Sequence, residues 1–125
     1  MRRELLRSKI HRATVTETNV AYEGSLTLDL DLMRAAQLVP FERIDVYNIT
    51  NGARFSTYII KGEPGSGKVC LNGAAALLAA AGDRIIIAAY ASYEEDEIAA
   101  HQPMVILVDG MNRITSTSPL PASPR

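Results

Sequence analysis

Two kinds of hydrophobic spacing alternate along the chain. From Glu4 to Thr18, β-branched Ile10, Thr14, Val15 and Thr16 are mixed with charged residues, a pattern that favours strand. The segment Tyr22-Glu-Gly-Ser25 interrupts it. The run from Leu28 to Leu38 reads as a short helix, acidic at its start and stopped before Pro40. Arg43–Thr50 and Ala53–Ile60 are strand-like runs on either side of Asn51-Gly52, a strong hairpin signal because both residues tolerate positive φ. If Ala53–Ile60 is a regular strand, Arg54, Ser56 and Tyr58 share one face and Thr57 points to the other. Beyond it, Gly62–Gly67 is a loop by composition, Val69–Leu71 a short strand, and Ala74–Ala81 a short helix closed at Gly82. Arg84–Tyr90 and Met104–Val108 are predicted buried strands, and Glu94–Glu97 between them a solvated turn or helix start. Thr115–Arg125 holds three of the six prolines together with Ser and Thr, and is predicted to be a disordered tail. Neither a repeat nor a second domain is visible. Many short strands and two short helices predict a mainly β fold, a small barrel decorated by helices.

Charge and composition narrow the function. In 125 residues, thirteen Lys+Arg balance fourteen Asp+Glu, a net charge of −1 that gives no basic field for nucleic acid or anionic membrane. The candidate apolar run, Ile85–Ala91, is strand-sized, so no membrane span is expected. The basic N-terminus lacks an apolar stretch after it and does not read as a secretory signal. The single cysteine, Cys70, has no second thiol for a disulfide or metal cluster, and no His/Asp/Glu group has metal spacing. A cytoplasmic protein is the consistent expectation. With no Trp, two Phe and five Tyr, the core must be built mainly from Ala, Ile, Leu and Val.

Gly62 to Gly67-Lys68 has the spacing of most of a phosphate-binding loop after a strand, and Val105–Asp109 resembles its magnesium-holding partner. However, Val69 follows Lys68 where the metal-ligating hydroxyl belongs, and Val69–Leu71 is β-prone where a helix should open. A surface loop is the better reading.

Gly24-Ser25 carries the chemistry, because of its company. Lys9-Ile-His11-Arg12, Tyr22-Glu-Gly-Ser25, Asn48-Ile-Thr-Asn-Gly52, Arg54-Phe-Ser-Thr-Tyr58 and Leu71-Asn-Gly-Ala-Ala-Ala76 occur in an order and spacing that resemble the pyruvoyl-dependent aspartate 1-decarboxylases. The resemblance covers roughly residues 1 to 114. It implies a double-psi β-barrel and a homotetramer with sites between subunits. It also implies a precursor cut between Gly24 and Ser25 into a short chain, 1–24, and a larger one from 25. Whether a maturation partner assists the cut is not written in the sequence. Glycine leaves the scissile carbonyl unshielded, and the Ser25 hydroxyl can attack it. Elimination and loss of ammonia then leave a pyruvoyl group, the covalent cofactor, in place of Ser25.

By the same resemblance, that ketone forms a Schiff base with L-aspartate and accepts electrons as CO2 departs, giving β-alanine for pantothenate synthesis. Tyr58 maps onto the tyrosine that returns a proton to carbon. Arg54 offers a planar fork and Lys9 a point charge for the two substrate carboxylates. Gly73, Ala74 and Ala75 resemble the family's substrate-binding backbone. Asn72 resembles the residue that positions groups around the pyruvoyl, and Thr57 the threonine that contacts substrate and polarises the Gly24 carbonyl. His11 and Tyr22 match a family histidine and tyrosine near cleavage and substrate entry. Tyr47 stands where tryptophan is common, at the edge of the substrate pocket. Two rivals share these residues: a decarboxylase of another small amino acid, and a small-barrel binding module that never cleaves.

Overall fold

In the computed structural model, which describes residues 1–120, apolar side chains from five strands line up in one row. Ile106, Ile10, Ile87, Val46 and Phe55 are successive cross-strand partners, all buried except the half-buried Phe55. Period-two alternation turns such rows inward and leaves the neighbouring positions outward. Among the described residues nine strands result: β1 (Arg2–Thr14), β2 (Glu17–Asn19), β3 (Ser25–Asp29), β4 (Arg43–Asn48), β5 (Arg54–Gly62), β6 (Val69–Asn72), β7 (Arg84–Glu94), β8 (Met104–Val108) and β9 (Ile114–Pro119). They form one sheet in the order β2-β6-β3-β5-β4-β7-β1-β8-β9. The chain is therefore mainly β, with helices α1 (Leu30–Ala35) and α2 (Glu95–Ile98) and a 3-10 helix over Gly73–Leu78.

Three pairings are parallel, β1 with β8, β2 with β6 and β3 with β5. The long strand β1 lies between β7 and β8, then runs through Val15 and Thr16 into β2 at the opposite end of the strand order. Along this link Val15 N–H donates to Asp83 O and Thr16 N–H to Val69 O, both at 2.8 Å.

The expected helix over Leu28–Leu38 forms only across Leu30–Ala35. Leu28 and Asp29 belong to β3 instead, where Leu26 and Leu28 are buried at strand spacing. Asp29 then caps α1 by accepting from Asp31 N–H at 2.8 Å. The same carboxylate accepts from Gly65 and Gly67 N–H at 3.0 and 2.9 Å, tying the loop after β5 to the helix start. Gln37 at φ 59° ends the helix.

The hairpin over β4 and β5 is present, but its connection is longer than two residues and only Gly52 has positive φ, 79°. Asn48 organises it, its side-chain oxygen accepting from Thr50 and Asn51 N–H at 2.9 and 3.3 Å. The Ala-rich run forms 3-10 helix and stops at Leu78, before the fully extended Ala79, rather than running to Ala81.

The tail prediction needs correction. Ile114–Pro119 is strand β9, pairing antiparallel with β8 at the sheet edge. Ser, Thr and Pro suit that place: an edge strand has one open side, so proline at its end forfeits little pairing. The rest of the predicted tail, 121–125, lies outside the described residues. Among the described residues, no helix is long and apolar enough to cross a membrane.

Candidate functional site

Ser25 opens β3, which lies between β5 and β6, and it pairs with Asn72 at the end of β6. Both are buried, at 1% and 3% exposure. Asn72 Nδ2 donates to Ser25 Oγ at 2.9 Å and to Thr27 Oγ1 at 3.0 Å. Its oxygen accepts from the Cys70 thiol at 3.3 Å. Burial, reinforced by the charge of Glu17, pushes the Cys70 thiol above its ordinary pKa, so it keeps the proton it donates. The amide is thereby held with its N–H side toward Ser25.

Two glycines shape the other side. Gly73 has φ +65°, and a Cβ there would lie 2.6 Å from the nitrogen and 2.7 Å from the Cα of Gly24. Only glycine lets the Tyr22–Gly24 backbone settle on this corner. A Cβ on Gly24 would meet nothing within 4 Å, so the peptide preceding Ser25 is open on that side. A cleft of about 310 Å³ adjoins the pair, lined among others by Tyr22, Thr27, Lys68, Cys70 and Asn72. The pyruvoyl group implied by the sequence would arise from Ser25 itself, and these surroundings suit it. Asn72 and Thr27 supply donors for a carbonyl oxygen, and the two glycines leave the backbone room.

Parallel pairing of β3 with β5 sets Leu26 level with Ile59. Ser25 directly precedes Leu26 in the chain and Tyr58 directly precedes Ile59, so both residues adjoin the first pair of this register. Exposure alternates through Arg54, Phe55, Ser56, Thr57 and Tyr58, and the β4–β5 register is unbroken. As the spacing predicts, Arg54, Ser56 and Tyr58 share the outer face while Thr57 turns inward, and no bulge along this pairing brings them together. Tyr58 is 38% exposed, its ring centroid 6.5 Å from that of Phe41.

The proposed cations lie elsewhere. Arg54 is four residues before Tyr58 on β5, about 13 Å along the strand. Its guanidinium carbon sits 4.2 Å from the centroid of the Tyr47 ring, and no carboxylate among the described residues pairs with it. Tyr47 OH in turn meets Tyr90 OH at 2.6 Å. Lys9 is on β1, three strands from β5 and so about 14 Å across the sheet. Its cross-strand row, Lys9, Ala88, Asp45 and Ser56, is the outer one. His11 follows on β1, its Nδ1 buried without a partner, and burial, with Lys9 and Arg12 adding, lowers its pKa.

One chain therefore presents two groups. Gly24, Ser25, Thr57, Tyr58, Asn72, Gly73 and the start of the 3-10 helix with Ala74 and Ala75 gather around the β3–β6 corner, with Tyr22 at its cleft. Arg54, Tyr47, Lys9 and His11 stand off on the β4, β5 and β1 side of the sheet. The Gly62–Gly67 loop runs into strand β6 rather than a helix, and Lys68 pairs with Glu17 at 3.2 Å, against the phosphate reading. Thr27, Cys70 and Tyr90 escaped the sequence reading. The alternation of Ser25, Thr27 and Leu26, Leu28 was the available signal for Thr27; nothing local pointed to the other two.

The hydrogen bond to Tyr47, with burial adding to it, raises the Tyr90 phenol from its ordinary value near 10 to about 12. Tyr90 thus stays protonated at a pH where an ordinary phenol is half ionised. Phenolate absorbance followed between pH 9 and 13 should include one late titration near 12, moving down toward 10 in Tyr47→Phe; an unmoved profile would contradict the pairing.

Residues 1–115 match the family model described as aspartate decarboxylase. An aspartate 1-decarboxylase of Syntrophobacter fumaroxidans is 65% identical over 113 residues, covering 90% of this chain and 91% of that protein. The aspartate 1-decarboxylase of Bordetella pertussis is 52% identical over 122 residues, 98% of this chain and 100% of its own. That of Caldicellulosiruptor saccharolyticus is 53% identical over 115 residues, 92% and 90% of the two chains. The chain belongs to the aspartate decarboxylase family.

Proposed function

We propose, for this member of the aspartate decarboxylase family, that it converts L-aspartate to β-alanine and carbon dioxide for pantothenate synthesis, using a pyruvoyl group made from Ser25. The observation that carries the maturation is the buried Ser25 hydroxyl, fixed by Asn72 directly after an unshielded glycine. Ser25 Oγ attacks the Gly24 carbonyl, which Thr57 of β5 polarises, and the amide becomes an ester. Loss of the Ser25 α-proton expels the Gly24 carboxylate, and water then replaces the nitrogen, released as ammonia. The pyruvoyl group, once formed, supplies a ketone that condenses with the substrate amine and draws off electrons as CO2 leaves. Tyr58 holds the proton returned to carbon, and the backbone of Gly73, Ala74 and Ala75 seats the substrate.

Arg54 and Lys9 receive the substrate carboxylates. Arg54 is backed by an aromatic ring and has no competing carboxylate among the described residues, so its fork is available to a ligand. A free aspartate cannot span the distance from Ser25 to these cations within one chain. A second copy, bringing its own outer face to the β3–β6 corner, completes the pocket; this supports a homotetramer with sites between subunits. Arg54→Ala is expected to raise the aspartate KM roughly ten- to a hundredfold, the effect of about 1.5–3 kcal/mol for a lost charged hydrogen bond. An unchanged KM would remove Arg54 from substrate binding.

Intact mass under denaturing conditions tests the whole reading. Two fragments are expected, residues 1–24 and a Ser25-derived piece lighter than its serine form by the mass of ammonia, together with aspartate decarboxylation. An uncut chain without activity after long warm incubation would point to the binding module or a missing maturation partner. Cleavage with activity on another amino acid alone would move the substrate assignment.

A further inference from the structure

The geometry points to Tyr90 as a positioning residue for substrate binding, acting through Tyr47 on Arg54. The inference rests on the assignment of Arg54 to a substrate carboxylate. Tyr47 and Arg54 are direct cross-strand partners on β4 and β5, and the guanidinium lies over the ring at 4.2 Å. On its other side Tyr47 pairs with Ile86 of β7, and Tyr90 is four residues farther along that strand. Both rings must lie along the sheet for their hydroxyls to meet at 2.6 Å. Ala88, midway between Ile86 and Tyr90 on the same face, has only a methyl group and does not hold them apart.

This arrangement has a use. A long arginine side chain left free in water samples many rotamers, and fixing one on binding weakens affinity. A flat ring beneath the guanidinium restricts it while leaving the N–H edge open to a carboxylate. The ring can serve only while it stays flat, and the hydrogen bond from the far end is what pins it. Raised protonation of Tyr90 agrees, since the pair persists across the working pH range. Among the described residues, the hydrogen bond shown for the Tyr90 side chain goes to Tyr47 and not to a group assigned to maturation or proton transfer.

The test uses the mature, cleaved enzyme. Tyr90→Phe should cleave fully, melt as the parent does, keep kcat within about twofold and raise the aspartate KM about two- to fivefold, the scale of an exposed cation–π contact. Tyr47→Phe, which keeps the ring but removes its anchor, should give the same split. In an Arg54→Ala background, Tyr90→Phe should add nothing further, because the platform then has nothing to hold. An unchanged KM in Tyr90→Phe, equal loss through kcat, or an undiminished effect without Arg54 would each overturn the proposal. Failure of the Arg54 assignment reads differently: Arg54→Ala alone would then leave KM where it was.

Discussion

Ser25→Ala is expected to give a single uncut chain with no decarboxylase activity. Without the hydroxyl, nothing attacks the Gly24 carbonyl, and no other residue at the β3–β6 corner is placed to do so. Asn72 could donate to the site but has no nucleophilic atom there, and Thr27 lies two residues along the strand. The substitution also strands one Asn72 N–H in a buried place, at about 1–3 kcal/mol, so some loss of thermal stability accompanies it. Folding and chemistry are separable all the same: a cooperative melt at modestly lower temperature, with one intact mass, is the expected pair of results. Cleavage in this variant, or activity without cleavage, would remove Ser25 from its role.

Tyr58→Phe divides the two halves of the chemistry. Its ring is still there to face Phe41, and the backbone still pairs with Arg43, so the fold is undisturbed. The proposed maturation draws on Ser25, Thr57 and Asn72, so the chain should cut as before and release ammonia. What the proposed mechanism would then lack is a proton for the substrate carbon. Turnover should fall roughly 10²–10⁴-fold, the ordinary contribution of a positioned acid. A cleaved, fully active variant would take Tyr58 out of proton transfer; an uncleaved one would move its role to maturation.

How much of this was legible beforehand depends on whether the information is local. The β4–β5 hairpin and the opposed faces of Thr57 and Tyr58 follow from turn chemistry and period two, and both were readable. The over-long helix came from a real conflict. Leu28 and Asp29 suit a helix start, but β5 and β6 offer β3 partners on both sides, and that pairing wins. For β9 the Ser, Thr and Pro composition resembles a loop, and only β8 makes it a strand. The Asn72–Ser25 bond joins residues 47 apart, and Tyr47–Tyr90 residues 43 apart. The family motifs named Ser25 and Asn72, yet the contact between them, and any role for Tyr90, required the fold.

The path of β1 carries a consequence for the mature enzyme. Once the bond after Gly24 is cut, the short fragment holds β1 and β2, and β1 is hydrogen-bonded on both sides, to β7 and β8. The fragment also contributes Ile10, Ala13 and Val15 to the core, so it cannot leave without dismantling the sheet. Before the cut each subunit folds from one peptide, whatever its assembly; unfolding afterwards separates two. Mass action then enters: the midpoint of the mature protein should climb with concentration, while that of the uncut serine variant should change less with its own concentration. Dilution after denaturation leaves each fragment searching for the other, and the larger one, already bearing its ketone, has no strand of its own to fill the gap. The proposed maturation would thus add an association step to the folding of each subunit, which would endure afterwards as a complex of two peptides that were once one.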